Sequence, residues 1–172
     1  MPSDYRNIAR VVRPHGSKGE VLVAPLRGLP FLVEDGMRVA LTPPALKRER
    51  FSTVESVRGV TDESAIVQFS CSHSLSESET LVGCYLLASS DDIEVGPLTA
   101  AVDELIGREV ADERYGLLGT VREVMETPAN DVWVVDGTSR GEVLIPVIPD
   151  VLDAIPQSGP IPVHIMDGLL DL

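Results

Sequence analysis

Apolar residues along the chain come in short runs, five to nine residues long, separated by Gly, Pro, Asp or Asn. Such runs stand at residues 7–12 (NIARVV), 20–26 (EVLVAPL), 38–42 (RVALT), 51–57 (FSTVESV), 65–70 (AIVQFS) and 84–88 (CYLLA). A second set follows at 108–112, 118–126, 131–136, 142–147 and 161–166. They are rich in Val and Ile, too short for helices, and bounded by turn residues, which predicts β-strands. Evenly spaced short strands with this punctuation point to sandwiches or barrels. Trp133, inside the apolar run DVWVVD, is expected in a core.

Two segments read as helix. In residues 74–83 (SLSESETLVG), Ser76 precedes Glu79 by three positions, the spacing of a capping box, and Gly83 is a stop signal. In residues 149–155, Pro149 is suited to open a turn of helix, with Val151, Leu152 and Ile155 as its apolar face. Between the strand sets, SSDDIEVGPLTA (89–100) is acidic, carries Gly96-Pro97 and has no period. This places a linker at 91–100, between domains at 1–90 and 101–172. The phrases GEVLVAP and GEVLIP are alike, but their flanks are not, and a Gly turn leading into a strand that ends at an edge proline accounts for both.

Charge changes this picture from uniform to divided. The net charge is −13 over 172 residues. Residues 1–50 hold nine Lys/Arg against five Asp/Glu, residues 51–100 one against eight, and residues 101–172 four against fourteen. The division suggests two kinds of partner, and solubility alone is the competing explanation. The sharpest local feature is VVRPHGSKGEVLVAPL (11–26), a basic glycine-jointed stretch on an acidic protein. Pro14 fixes φ, and Gly16 and Gly19 permit backbone shapes closed to other residues. Arg13 and Lys18 suit phosphate oxygens, and His15 can hydrogen-bond or stack. The alternative is a hairpin whose glycines serve only the turn and whose charges are solvated.

Catalytic and metal constellations are missing from the sequence. Cys71-Ser-His73 has one intervening residue, with no second ligand pair to follow. There is no GxSxG, HExxH or phosphate-binding P-loop. Cys71 and Cys84 are the only cysteines; buried thiols and a lone disulfide both remain open. Generic single-stranded nucleic-acid binding is disfavoured, because only seven aromatics are present and several lie in strand runs where core packing is expected. The start of the chain has no apolar secretory core, and no run reaches the roughly 18 apolar residues of a membrane helix. A soluble cytoplasmic protein is expected.

The order of motifs resembles one family. RVVRPHGSKGEVLVAPL, SETLVGCYLL, DELIGREVAD, YGLLGTVREVMETPANDVWVVD, GEVLIPVIPDVLDAI and DGLLDL together resemble the RimM family of ribosome maturation factors. The resemblance covers most of the chain and is weaker at 43–64. It implies an all-β protein with short helices, built as two small barrels. The first is a six-stranded barrel like those of translation factors, and the second a PRC barrel. It implies a monomeric, non-enzymatic assembly factor without cofactor or metal. The implied partners are the precursor small ribosomal subunit, a basic head ribosomal protein (S-nineteen) and nearby rRNA. On this chain the rRNA candidates are Arg13, Pro14, His15, Gly16, Lys18 and Gly19. The ribosomal-protein candidates are Val102, Asp103, Glu104, Leu105, Ile106 and Gly107. Family members often carry paired tyrosines and a further aromatic just before the phrase that reads DELIG here (103–107); in this chain Ala100, Ala101 and Val102 stand instead. A PRC-barrel adaptor that docks on another protein away from the ribosome is the alternative.

Overall fold

The computed structural model describes residues 4–170. These divide into two compact units after Glu94.

The first unit contains β1 (Tyr5–His15), β2 (Glu20–Pro25), β3 (Arg38–Thr42), β4 (Phe51–Arg58), β5 (Ala65–Phe69), α1 (Leu75–Leu81) and β6 (Tyr85–Ser89). Its six strands close into an antiparallel barrel in the order β1-β2-β5-β4-β3-β6. The alternation in the sequence drives this closure. Val21 and Val23 of β2, Val39 and Leu41 of β3, Val67 and Phe69 of β5, and Leu86 and Ala88 of β6 all point inward and are buried. A closed barrel also leaves no strand edge to satisfy. Leu81 of α1 joins this core, as does Cys84, while Cys71 packs against it; both thiols are free.

The helix cap lies two residues before the sequence-predicted position. Ser74, not Ser76, is the N-cap, and its side chain accepts a hydrogen bond from the Glu77 N–H. Ser74 and Glu77 have the same i, i+3 spacing as Ser76 and Glu79, so the motif admits both registers. Packing selects the one that buries Ser78 and Leu81. Gly83, at φ 84°, ends the helix and donates its N–H to the Val11 carbonyl.

The second unit contains α2 (Val102–Leu105), β7 (Glu109–Asp112), β8 (Gly116–Met125), β9 (Val132–Gly137), β10 (Glu142–Pro146) and β11 (Ile161–Val163). The strands form a five-stranded sheet in the order β10-β9-β8-β7-β11, with β11 parallel to β7 and the other pairs antiparallel. Trp133 is 1% exposed at the centre of its core, with Val110, Val135, Ile145 and Leu152 around it.

Residues 149–155 form a single turn that stops before Ile155, and not a helix. The backbone makes one hydrogen-bonded turn, in which Val151 and Leu152 both donate to the Ile148 carbonyl. It then leaves the helical ladder. The Val151 carbonyl accepts from His164, and the Ile155 N–H reaches the Pro97 carbonyl. Pro156 also disfavours helical geometry at Ile155. The apolar positions still serve the core, since Val151 and Leu152 are fully buried. The last strand is cut short for a related reason. His164 and Ile165 give their N–H groups to Val151 and to the Asp112 carboxylate rather than to a sheet neighbour. The helix α2 has no counterpart in the periodicity of the sequence, because four residues are too few to show one.

Candidate nucleic-acid interface

The basic stretch at 13–19 lies at the tip of the β1–β2 hairpin. Arg13, Pro14 and His15 belong to β1 itself, opposite Leu22, Val21 and Glu20. The turn proper is therefore only Gly16–Gly19, shorter than the sequence suggests. Proline is admitted into the strand because β1 has lost its second neighbour there. Pairing with β6 ends at Arg10, so no ladder on that side needs the missing N–H of Pro14. A bulge at Val12, between Val11 and Arg13, resets the register just before the tip.

The two glycines have different causes. Gly16 has φ 67° and open space around it, so its role is conformational. Gly19 has φ 91°, and a Cβ there would lie 2.4 Å from the carbonyl oxygen of Ser72. The buried Ser72 hydroxyl donates to the Gly19 carbonyl at 2.8 Å, and Gln68 donates to the Lys18 and Ser72 carbonyls. The hairpin tip is thus fastened to the turn that follows β5. Gly16→Ala is expected to cost about 1 kcal/mol, the strain of a left-handed backbone. Gly19→Ala should cost about twice that, because strain and backbone collision add. Denaturant titration of the two variants checks the ordering.

On this frame Arg13 and Lys18 are exposed and form no ion pair among the described residues. The nearest acid in sequence, Glu20, is held by Arg58 through two hydrogen bonds of 2.6 and 3.0 Å to one oxygen. That pair engages the acid next to the tip in sequence, and Arg13 and Lys18 face solvent. His15 and Pro14 are half-buried.

The candidates at 102–107 are brought together on α2 and its end, but they do not share a face. Val102 and Leu105 are buried in the second core, while Asp103, Glu104 and Ile106 are exposed. Gly107, at φ 84°, donates its N–H to Val121 and turns the chain into β7. Ala100 and Ala101 are buried beside them. Any surface offered by this segment is therefore an acidic one with a single apolar side chain, Ile106.

Cys71 and His73 are not joined into a catalytic or metal-binding cluster. The His73 ring nitrogen Nε2 lies 3.0 Å from the Ser70 carbonyl and 3.7 Å from Glu55. No group of three His, Cys, Asp or Glu among the described residues is arranged around a common point. No described helix is long and apolar enough to cross a membrane.

Sequence reasoning missed part of the aromatic set. Phe69 and Trp133 are core residues, but Tyr5, Tyr85 and Tyr115 are 40%, 38% and 42% exposed. Two of these rings, Tyr85 and Tyr115, have an arginine over them or beside them, while Tyr5 packs against the Phe51 ring. Arg10 lies 6.0 Å from the Tyr85 ring centre, and Tyr115 sits between Arg114 and Arg140 at 5.2 and 5.4 Å. Half-buried Phe51 carries Arg38 at 4.2 Å and Arg50 at 5.8 Å. Strand membership says that a ring has a side of the sheet, not which side. Only the register decides whether it faces the core.

Two mostly β units, one with a cationic hairpin tip and one strongly acidic, define the class of protein: a two-domain β scaffold. Residues 7–93 match the RimM N-terminal domain, and residues 102–158 match the RimM PRC barrel domain. A curated protein of Shouchella clausii named Ribosome maturation factor RimM is 34% identical, over 98% of this chain and 99% of its own length. Proteins of the same name from Bacillus velezensis and from a Thermoanaerobacter species are 32% and 30% identical, over 99% and 97% of this chain. A solved RimM structure from Pseudomonas aeruginosa aligns over 95% of this chain and 98% of its own at 22% identity, with a TM-score of 0.40. The chain belongs to the RimM family.

Proposed function

We propose that the chain is a non-enzymatic maturation factor of the small ribosomal subunit. It binds the precursor particle and supports folding of its head and processing of its rRNA. The observation that carries this reading is the match of both units, in order, to the two RimM domains, with relatives named Ribosome maturation factor across nearly their whole length. The division of charge supports a division of labour. The cationic tip of the first unit suits phosphate oxygens, through Arg13 and Lys18. The second unit, with Asp103 and Glu104 exposed on α2, suits a basic partner such as the head ribosomal protein S-nineteen. Complementary charge of this kind speeds encounter and rejects wrong partners more than it adds affinity. In this reading the protein works as a cytoplasmic monomer, with a linker near residues 91–100 joining its two contacts.

The test is co-sedimentation of the intact chain with small subunits from cells at several stages of assembly. The expected result is binding to immature particles and none to mature ones. Equal absence from both, with capture of a non-ribosomal partner by the second unit, would favour the adaptor reading instead.

A further inference from the structure

The outer wall of the first barrel carries a second cationic and aromatic surface, made by β1, β6, β3 and β4. The register places its members. Tyr5 pairs with Ser89, and Arg10 pairs with Tyr85, across β1 and β6. Arg38 of β3 pairs with Thr53 of β4, and Ala40 with Phe51. Because the inward positions of these strands are filled by Val39, Leu41, Leu86 and Ala88, the alternating positions Tyr5, Arg10, Tyr85, Arg38 and Phe51 face outward. Arg50 joins them at the start of β4, beside the Phe51 ring. Tyr5 and Phe51 lie 5.8 Å apart, centre to centre, with rings tilted at 50°.

Two physical features set this wall apart from an ordinary solvated face. First, the guanidinium groups of Arg10, Arg38 and Arg50 have no hydrogen-bond acceptor among the described residues. Arg48, Arg58, Arg108, Arg114 and Arg122 all donate side-chain hydrogen bonds to carbonyls or carboxylates. Arg10, Arg38 and Arg50 donate none and form no ion pair among the described residues. Aromatic rings hold them in place while leaving their N–H groups free. Glu49 lines the cleft beside Arg38 and Arg50, yet it pairs with neither. Second, the rings are available. Tyr5 and Tyr85 are the exposed large aromatics of the first unit. Fixed cations with free donors, interleaved with exposed rings, match the phosphates and unstacked bases of a single strand. A duplex offers the phosphates but keeps its bases stacked inside. On a protein of net charge −13, such a patch has to be local to act at all.

We propose that this wall is a track for single-stranded RNA, continuous with the hairpin tip at Gly16–Gly19. The inference rests on the reading that the first unit contacts ribosomal RNA, and it gives that contact a second surface. From Tyr5 to Arg13 along β1 the track is roughly 25 Å long. Bases stack on Tyr85 and Tyr5, phosphates lie against Arg10, Arg38 and Arg50, and the strand leaves past Arg13 and Lys18.

The experiment uses the intact chain and a labelled single-stranded RNA of about twelve nucleotides, with the same sequence as a duplex for comparison, followed by anisotropy across a salt titration. The wild type is expected to prefer the single strand. Tyr85→Thr should weaken binding about tenfold, while Tyr85→Phe, which keeps the ring, should bind nearly as wild type. Arg38→Gln with Arg50→Gln should make the log–log salt slope shallower by about 1.4. Tyr85→Trp supplies a second readout, because an exposed indole is quenched by a stacked base while Trp133 stays buried and silent. Unchanged affinity in the wall variants, an unquenched Trp at 85, or equal binding of duplex and single strand overturns the track. Loss in the wall variants with none in an Arg13→Glu, Lys18→Glu variant keeps the track and removes the tip. Loss in the tip variant alone does the reverse. No binding of either RNA by the wild type removes both.

Discussion

Asp112→Asn is expected to destabilise the second unit by about 3 kcal/mol, although it changes one atom of the side chain. Asp112 ends β7 and is 5% exposed. Its Oδ1 accepts from the backbone N–H groups of Arg114 and Tyr115, at 2.7 and 3.0 Å, and shapes the turn into β8. Its Oδ2 accepts from the Ile165 N–H at 2.7 Å and fastens the chain just after β11. Arg114 closes the same junction through the Ile165 carbonyl and Asp167. An amide can keep the Oδ1 bonds, but its NH2 would then face the Ile165 N–H, donor against donor. The lost charge-assisted bond and the unpaired buried donor each cost about 1.5 kcal/mol or more. The sole tryptophan lies in this unit, so its fluorescence during denaturant unfolding reports the change directly.

The same carboxylate sets a pH dependence. Burial opposes its charge, but the N–H groups of Ile165, Tyr115 and Arg114, with the Arg114 guanidinium, outweigh that and hold its pKa below the ordinary value. A group depressed on folding contributes stability that is complete above its unfolded pKa, about 3.9, and is lost as pH falls through the lower folded value. The wild type should therefore lose stability below about pH 4, and Asp112→Asn should lack that part of the loss. An acid titration of unfolding free energy with the same slope in both proteins would contradict the assignment.

These two units show what alternation can and cannot convey. Each predicted strand run has an observed strand, because β-branched residues alternating with polar ones have one comfortable solution. Failures fall where a single backbone bond decides. The N–H of Ile155 goes to Pro97 and not to a helix, and Ser74 wins over Ser76 because Leu81 must reach the core. Neither choice is local. At the candidate interface, the hairpin and its charges were legible from Pro, Gly, Arg and Lys alone. The reason for Gly19 was not, because Ser72 arrives from more than fifty residues away. Nor was the exposure of Tyr5 and Tyr85, since the pairing of β1 with β6 joins the two ends of the barrel. At 102–107 the sequence shows a continuous phrase, whereas packing splits it into two core residues and an exposed acidic remainder.

The hairpin tip is the place where the proposed function is most exposed to failure. Arg13→Glu with Lys18→Glu is expected to weaken binding to precursor small subunits by about ten- to a hundredfold, since two contacts with phosphate become two repulsions. Both side chains are exposed and without an ion-pair partner among the described residues, so the change should leave folding nearly untouched. Glu20, already held by Arg58, neither gains nor loses a partner. The log–log salt slope should become shallower by about 1.4 to 1.8, the share of two phosphate contacts. Binding of the intact variant to the isolated basic head protein should remain as in the wild type, because that contact is assigned to the acidic second unit. Under the proposed function the two contacts reinforce each other on the particle because both belong to one chain, so losing one lowers the effective concentration of the other. A charge-reversed protein that binds precursor particles as tightly as the wild type across the whole salt range would make residues 13–19 a fastened hairpin and nothing more.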